Sequence, residues 1–280
     1  MYKKTAVFRY LASLGLACSA IVLVGCAAVQ TTGSGSVGVE RKQYMSGLVS
    51  ESALEQESAQ QYTTLMGQAR AQGALDVNAA QTQRVKAITQ KLIRQVSVFR
   101  PDAVNWKWET HVLDSDEVNA WCMPGGKMAV YSGLINKIKP SDAELAAVIG
   151  HEMAHALREH SREQVSQQMA TNIGLSVLSA VTGVGATADL GGALSKVMFT
   201  LPNSRTHEAE ADRIGVELAA RAGYDPRAAV TLWQKMGALG SGSAQPEFLS
   251  THPSPASRSA DLTQAAAKVM PLYQQASGKK

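Results

Sequence analysis

Five consecutive residues, His151-Glu152-Met153-Ala154-His155, carry the densest chemistry in the 280-residue chain. Histidines four apart stack on one face of a helix that turns every 3.6 residues or so. Two imidazoles so placed can converge on one Zn2+ at about 2.0–2.1 Å each. Glu152 sits beside that face and can reach a water at the ion as general base. Catalytic zinc takes three protein ligands and keeps one position open, so one ligand must come from elsewhere. His160 is five residues past His155, about 140° off the ligand face of a continuous helix. The spacing that swings a later histidine round through a glycine turn is missing, because positions 158 and 161 are Arg and Ser.

A better donor lies in the stretch Ser204 to Asp212. Glu208 and Asp212 are four apart and share a helical face. Glu208 can bind the ion, and Asp212 can accept from the free N–H of a ligand histidine and fix its tautomer. Ala211, Gly215, Ala219 and Ala222 line the same side, so this helix can approach the metal helix closely. Glu210 points the other way and reads as structural. The bland alternative for Glu208 and Asp212 is a solvated acidic helix start, against which the small-residue face argues.

The elements that must hold these residues are legible in outline. Ser141-Asp142-Ala143-Glu144 after Pro140 is a capping box, and it predicts a helix running from Ser141 to about His160. Leu145, Ile149, Met153, Ala156 and Leu157 fall away from the two histidines as its core stripe. The polar group is thereby expected off the buried side. Glu51 to Arg70 reads as a polar helix. Val85, Ile88, Leu92 and Val96 recur at helical spacing within residues 78–96. Asp225-Pro226 opens another helix, and a last one runs from Ala256 to about Val269.

Between residues 104 and 135 the period changes to two. Trp106, Trp108, Thr110 and Val112 alternate with Asn105, Lys107, Glu109 and His111. Val118 to Met123, a Pro124-Gly125-Gly126 turn and Lys127 to Tyr131 follow. The fold class is therefore α+β, mostly helical, with a small β-sheet beside the metal helix. An edge strand there can bind a peptide backbone by β-augmentation, which makes Asn119, Ala120 and Trp121 candidate substrate-binding residues; the turn can equally be a plain hairpin. His111 reads as a surface residue.

The chain starts with an address. Lys3, Lys4 and Arg9 precede an apolar stretch from Leu11 to Val24, the pattern of a signal peptide over residues 1–25. Leu23-Val24-Gly25-Cys26 resembles a bacterial lipobox, which implies cleavage before Cys26 and lipid on that residue. Ala27 implies sorting to the outer membrane. Residues 26–50 then read as a flexible tether, small and Gly/Ser-rich up to about Gly38, and residues 51–280 as one domain. Without the signal, 24 Lys and Arg face 23 Asp and Glu. That balance gives no argument for nucleic acid. Cys122 is then the single ordinary thiol, a small buried hydrophobe. Residues 169–188 hold no charge but many Ser, Thr, Gly and Asn. They suit a buried hairpin or lid better than a membrane span.

Taken together, the H-E-x-x-H helix, the Ser204–Asp212 stretch, Thr251-His252-Pro253 with Arg258, and the strand residues around Asn119 and Tyr131 resemble peptidase family forty-eight of the metallo class, over roughly residues 80–275. The resemblance implies a zincin-type metallopeptidase domain with one Zn2+ on His151, His155 and Glu208, and Glu152 and Asp212 in catalysis. It places the His252 loop over the metal. There His252 either fills the open position and holds the enzyme latent or stabilises the oxyanion; Arg258 could also do the latter. Lipid-anchored periplasmic members are the nearest branch. They imply unfolded or misassembled envelope proteins as substrates, with outer-membrane assembly machinery as a further partner. A zinc-stabilised chaperone or assembly factor is the rival function. Members of that branch carry extra cysteines; this chain has no pair after processing, so no redox role carries over.

Overall fold

A computed structural model describes residues 27–182, 189–239, 246–253 and 257–278, with the backbone alone for residues 172–182. The signal segment and Cys26 lie outside the described residues, as do positions 183–188 of the uncharged stretch. The described part of that stretch is helical. No helix among the described residues is long and apolar enough to cross a membrane.

Ten helices and five strands form the described fold. In chain order they are β1 (Ala27–Val29), β2 (Gln43–Met45), α1 (Glu51–Ala71), α2 (Ala79–Ile93), β3 (Glu109–Leu113), β4 (Ala120–Met123), β5 (Lys127–Tyr131), α3 (Ser132–Ile138), α4 (Asp142–Leu157), α5 (His160–Thr182), α6 (Leu190–Phe199), α7 (Arg205–Arg221), α8 (Ala228–Leu239), α9 (Glu247–Thr251) and α10 (Arg258–Ser277). The chain is α+β and mostly helical, as expected. α4 is its central post, packed between α7, α8, α2 and β4. Its predicted core stripe is buried: Leu145, Ile149, Met153 and Leu157 have no exposed surface. The capping box forms, with the Glu144 N–H donating to Ser141 Oγ at 3.2 Å and the Ser141 N–H to Glu144 Oε2 at 2.8 Å.

The predicted helix to His160 ends early. Arg158 caps α4, and Glu159 takes a left-handed φ of 53°. Two arginines hold Glu159 there: Arg100 at 2.7 Å and Arg162 at 2.7 Å. The break redirects the chain into α5 at His160.

The sheet order is β3-β5-β4, with β3 parallel and β4 antiparallel to β5. Gly125 and Gly126, at φ 76° and 81°, make the β4–β5 turn, a conformation that side chains with a Cβ resist. Trp106 and Trp108 do not join the strand. The Trp108 indole N–H instead donates to the carbonyl of Ala103 at 2.8 Å, tying it to the short 3-10 turn Pro101–Asn105. His111 is not a free surface residue: its Nδ1 lies 2.6 Å from Asp76, and its side chain is 15% exposed.

The expected tether is part of the fold. β1 and β2 pair antiparallel, and Val37 and Val39 enter the main core. The Val37 N–H donates to Glu217 at 3.0 Å, and Gln43 Nε2 to the carbonyl of Arg158 at 2.6 Å. A small, polar composition suggested a spacer, but here the polar groups find buried partners, which composition cannot reveal.

α4 and α7 meet through two glycines. A Cβ on Gly215 would lie 2.7 Å from the His151 nitrogen, and one on Gly150 2.9 Å from the Gly215 carbonyl. Gly215→Ala should therefore destabilise by about 1–3 kcal/mol through overpacking. Gly67 sits in α1 with nothing within 4 Å of its added Cβ, so Gly67→Ala should stabilise by up to about 1 kcal/mol. Thermal melts of both variants check the contrast. Cys122 is fully buried, and burial pushes its thiol pKa well above the ordinary value. Peptide mapping after alkylation at pH 8 should find Cys122 labelled only once the chain is unfolded.

Candidate metal centre

α4 presents His151, Glu152 and His155, while α7 presents Glu208 and Asp212. α7 starts where Ser204 accepts from the His207 N–H at 3.1 Å. The Gly150–Gly215 contact lets the two helices share one polar site. His252 follows α9 and Arg258 begins α10, so four helices contribute. The site is not on an exposed face. His151, Glu152, His155, Glu208, Asp212, His252 and Arg258 are all buried. The α4 helix is enclosed on both sides, because the later helices cover the histidine face that its own pattern leaves polar.

The donors converge. His151 Nε2 is 3.1 Å from His155 Nε2 and 3.4 Å from Glu208 Oε2. His155 Nε2 is 3.3 Å from Glu208 Oε1. A tetrahedral zinc site with bonds of about 2.0–2.1 Å has edges of about 3.3 Å, so these separations suit one small cation. His252 Nδ1 lies 3.2 Å from His151 Nε2 and 3.0 Å from Glu208 Oε1, and the four side chains form one ligand cluster. His252 thus stands where a fourth ligand would stand. Its ring stacks on Phe248, with centroids 4.4 Å apart.

Each ligand has support. Asp212 Oδ1 is 3.0 Å from His151 Nδ1 and accepts from Arg258 Nη2 at 2.7 Å. Arg258 Nη1 is 3.0 Å from Glu208, and the guanidinium carbon lies 3.3 Å from the Trp233 ring centroid. Arg258 is therefore tied to two carboxylates. That clamps it to the ligand helix, while its Nε keeps no hydrogen-bond partner. His160, rejected as a ligand, sits behind one: its Nδ1 is 2.9 Å from His155 Nδ1. Glu210 does point away from the cluster, toward His160, Arg41 and Arg158. The break at Glu159 was the missing signal, since a continuous helix would have carried His160 elsewhere.

The charges respond to this crowding. Burial opposes ionisation of Glu208, yet His252 and His151 hold its carboxyl well below the usual range. Burial alone would depress His151, but Glu208 and Asp212 raise it to about 9. Burial drives His155 well below the ordinary imidazole value. Burial also raises Glu152, the direction that makes a carboxylate a better base. Glu152 Oε1 is buried without a hydrogen-bond partner and lies 3.5 Å from His252 Nε2.

Beside these groups lies a cavity of roughly 260 Å³, lined by Asn119, Ala120, Trp121, Glu152, His155 and His252 among others. β4 pairs on one side with β5, and no strand among the described residues pairs with its other side. The predicted substrate-binding residues are thus brought to the metal ligands.

Residues 79–266 match the sequence profile of Peptidase family M48. The chain belongs to this family. All four residues of the ligand cluster, with Glu152, Asp212 and Arg258, fall inside the matched span. Mitochondrial metalloendopeptidase OMA1 of Arabidopsis thaliana is 46% identical over 158 residues, 56% of this chain and 31% of that protein. OMA1 of Bos taurus is 38% identical over 189 residues, 64% of this chain and 36% of that protein. The beta-barrel assembly-enhancing protease of Escherichia coli is 30% identical over 209 residues, 70% of this chain and 41% of that protein. The matched segments cover about a third to two fifths of these relatives. The M48 match begins well after β1 and β2, so the segment that packs against Arg158 and Glu163 lies outside it.

Glu208→Ala should abolish stoichiometric metal binding. Asp212→Ala should weaken it about 10–100-fold, the usual cost of losing a carboxylate behind a ligand histidine. Elemental analysis and chelator competition on the two purified variants check both outcomes.

Proposed function

We propose that this chain is a zinc-dependent endopeptidase, anchored as a lipoprotein through Cys26 and facing the periplasm from the outer membrane of a bacterial envelope. Its substrates on this reading are unfolded or misassembled envelope proteins. The observation that carries the hydrolase reading is the convergence of His151, His155 and Glu208 at tetrahedral-edge distances, with Glu152 beside them. Two imidazoles and a carboxylate are the borderline donor set that zinc takes in catalytic sites. The names of the relatives, metalloendopeptidase and protease, support the same reading.

Zinc held there would polarise a scissile carbonyl and acidify water. The other roles fall to the protein. Glu152 takes a proton from water and delivers it to the leaving amine, and its buried carboxyl has the raised basicity this requires. Asp212 orients His151. The edge of β4 that no described strand pairs runs along the cavity at Asn119, Ala120 and Trp121 and can take an extended peptide, which suits substrates chosen for exposed backbone rather than for one sequence. The beta-barrel assembly-enhancing function in the name of the Escherichia coli relative supports an outer-membrane assembly partner.

His252 favours a latent resting state. Its Nδ1, grouped with the donors of His151, His155 and Glu208, would compete with water or a peptide carbonyl for an ion held there. Turnover then requires the residues around Thr251-His252-Pro253 to draw the imidazole away. The same observation supports the rival reading, a zinc-stabilised chaperone or assembly factor whose site stays closed.

The deciding experiment compares wild type with Glu152→Gln on casein and on an unfolded outer-membrane protein, with zinc measured on each. The variant should keep its zinc and lose about 10²–10⁴-fold in cleavage rate. Equal cleavage by both proteins removes the enzyme reading in favour of the chaperone. His252→Ala should cleave the same substrates several-fold faster than wild type, and a slower variant would assign His252 to turnover instead of latency.

A further inference from the structure

The two ligand histidines are supported differently. Behind His151 stands a carboxylate, Asp212, at 3.0 Å. Behind His155 stands another histidine, His160, at 2.9 Å between the two Nδ1 atoms. A nitrogen pair at that distance is a hydrogen bond only if one ring carries a proton there and the other a lone pair. The far side of His160 decides which. His160 Nε2 is 3.1 Å from Glu210 Oε2. Glu210 is buried and faces two guanidiniums, with Arg41 Nε donating at 2.6 Å and Arg158 Nε at 3.1 Å. Each Glu210 oxygen accepts from one of these guanidiniums, Oε1 from Arg41 and Oε2 from Arg158, so Glu210 meets His160 as an acceptor. His160 therefore donates from Nε2, and a neutral ring has then spent its one proton. Its Nδ1 lone pair accepts from His155 Nδ1–H, and the lone pair of His155 falls on Nε2, the atom in the ligand cluster.

We propose that Glu210 and His160 are positioning residues that set the tautomer of His155, doing in two steps what Asp212 does for His151 in one. The relay is anchored outside the family match. Arg41 belongs to the segment between β1 and β2, and it also reaches Glu163 Oε1 at 2.8 Å. Glu163 in turn accepts from His207 Nε2 at 3.1 Å, and the His207 ring stacks on His160 with centroids 4.3 Å apart. The ring of His160 is thus gripped on its face and at both nitrogens. The kink at Glu159 places it there, and Glu208, Glu210 and Asp212, all on α7, supply one ligand and the two terminal carboxylates.

The inference rests on the metal reading above, and the test separates the two. Zinc-loaded protein labelled with 15N-histidine reports the protonation of each ring nitrogen by two-bond proton–nitrogen correlation. His155 should carry its proton on Nδ1, and His160 should carry its own on Nε2. Zinc bound with the His160 proton on Nδ1 overturns the relay alone, whereas a wild-type protein that binds no zinc overturns the metal reading and the relay with it. Two variants add an affinity readout by chelator competition. His160→Phe keeps a ring against His207 but cannot accept, and should weaken zinc about 10–100-fold. His160→Gln can accept with its carbonyl and donate to Glu210 with its amide, and should recover most of that loss. Near-ultraviolet circular dichroism of the metal-free proteins checks that both are folded. An equal loss in Phe and Gln variants, or none in either, overturns the proposal; if the Phe variant does not fold, the nitrogen spectra of the wild type decide it.

Discussion

The site depends on how closely α4 and α7 approach. The donors of His151, His155 and Glu208 sit on two helices separated by about fifty residues of chain, and they meet only because the backbones touch at Gly150 and Gly215. A single methyl group at either position would land inside van der Waals contact with the opposite backbone. Side chains of two or three rotatable bonds cannot make up a helix displaced by an ångström and still converge on one ion. The glycines therefore belong to the metal chemistry as much as the ligands do, although they touch no donor atom.

That approach concentrates charge in a dry interior. Desolvating an isolated carboxylate or imidazolium costs several kcal/mol, and removing one partner of a buried pair costs about 3–5 kcal/mol. The structure meets this by pairing every carboxylate of α7 that faces inward. Glu208 has Arg258 and the histidines, Asp212 has Arg258 and His151, and Glu210 has Arg41, Arg158 and His160. Two buried carboxylate oxygens here keep no hydrogen-bond donor, Glu208 Oε2 within the ligand cluster and Glu152 Oε1 beside it. An unmet acceptor beside a ligand cluster is the arrangement expected of a base whose partner arrives with the substrate.

The segment before α1 extends the same logic. Its Val37 and Val39 add to the core, and its Arg41 and Gln43 neutralise or satisfy groups that α4, α5 and α7 would otherwise leave bare. On the lipoprotein reading this places the chain nearest the membrane in direct contact with the support of the metal site.

Much was legible beforehand because it depends on near neighbours in the chain. The capping box, the core stripe of α4, the strand–turn–strand run with its two glycines and the pairing of His151 with His155 all follow from spacing within one or two turns. Glu208 and Asp212 were legible for a related reason: four-residue spacing and a small-residue face announce a helix built to come close. The end of α4 was not legible, since Glu159 adopts a left-handed φ uncommon outside glycine, and one of the two arginines paired with it, Arg100, comes from a distant segment. Nor was the role of His160, which depends on that kink, nor the packing of residues 27–45, whose partners are more than a hundred positions away. Local spacing determined which groups could do chemistry here. Only the tertiary structure decided which of them are buried together, because desolvation and pairing are properties of the assembled interior and leave no period in the sequence.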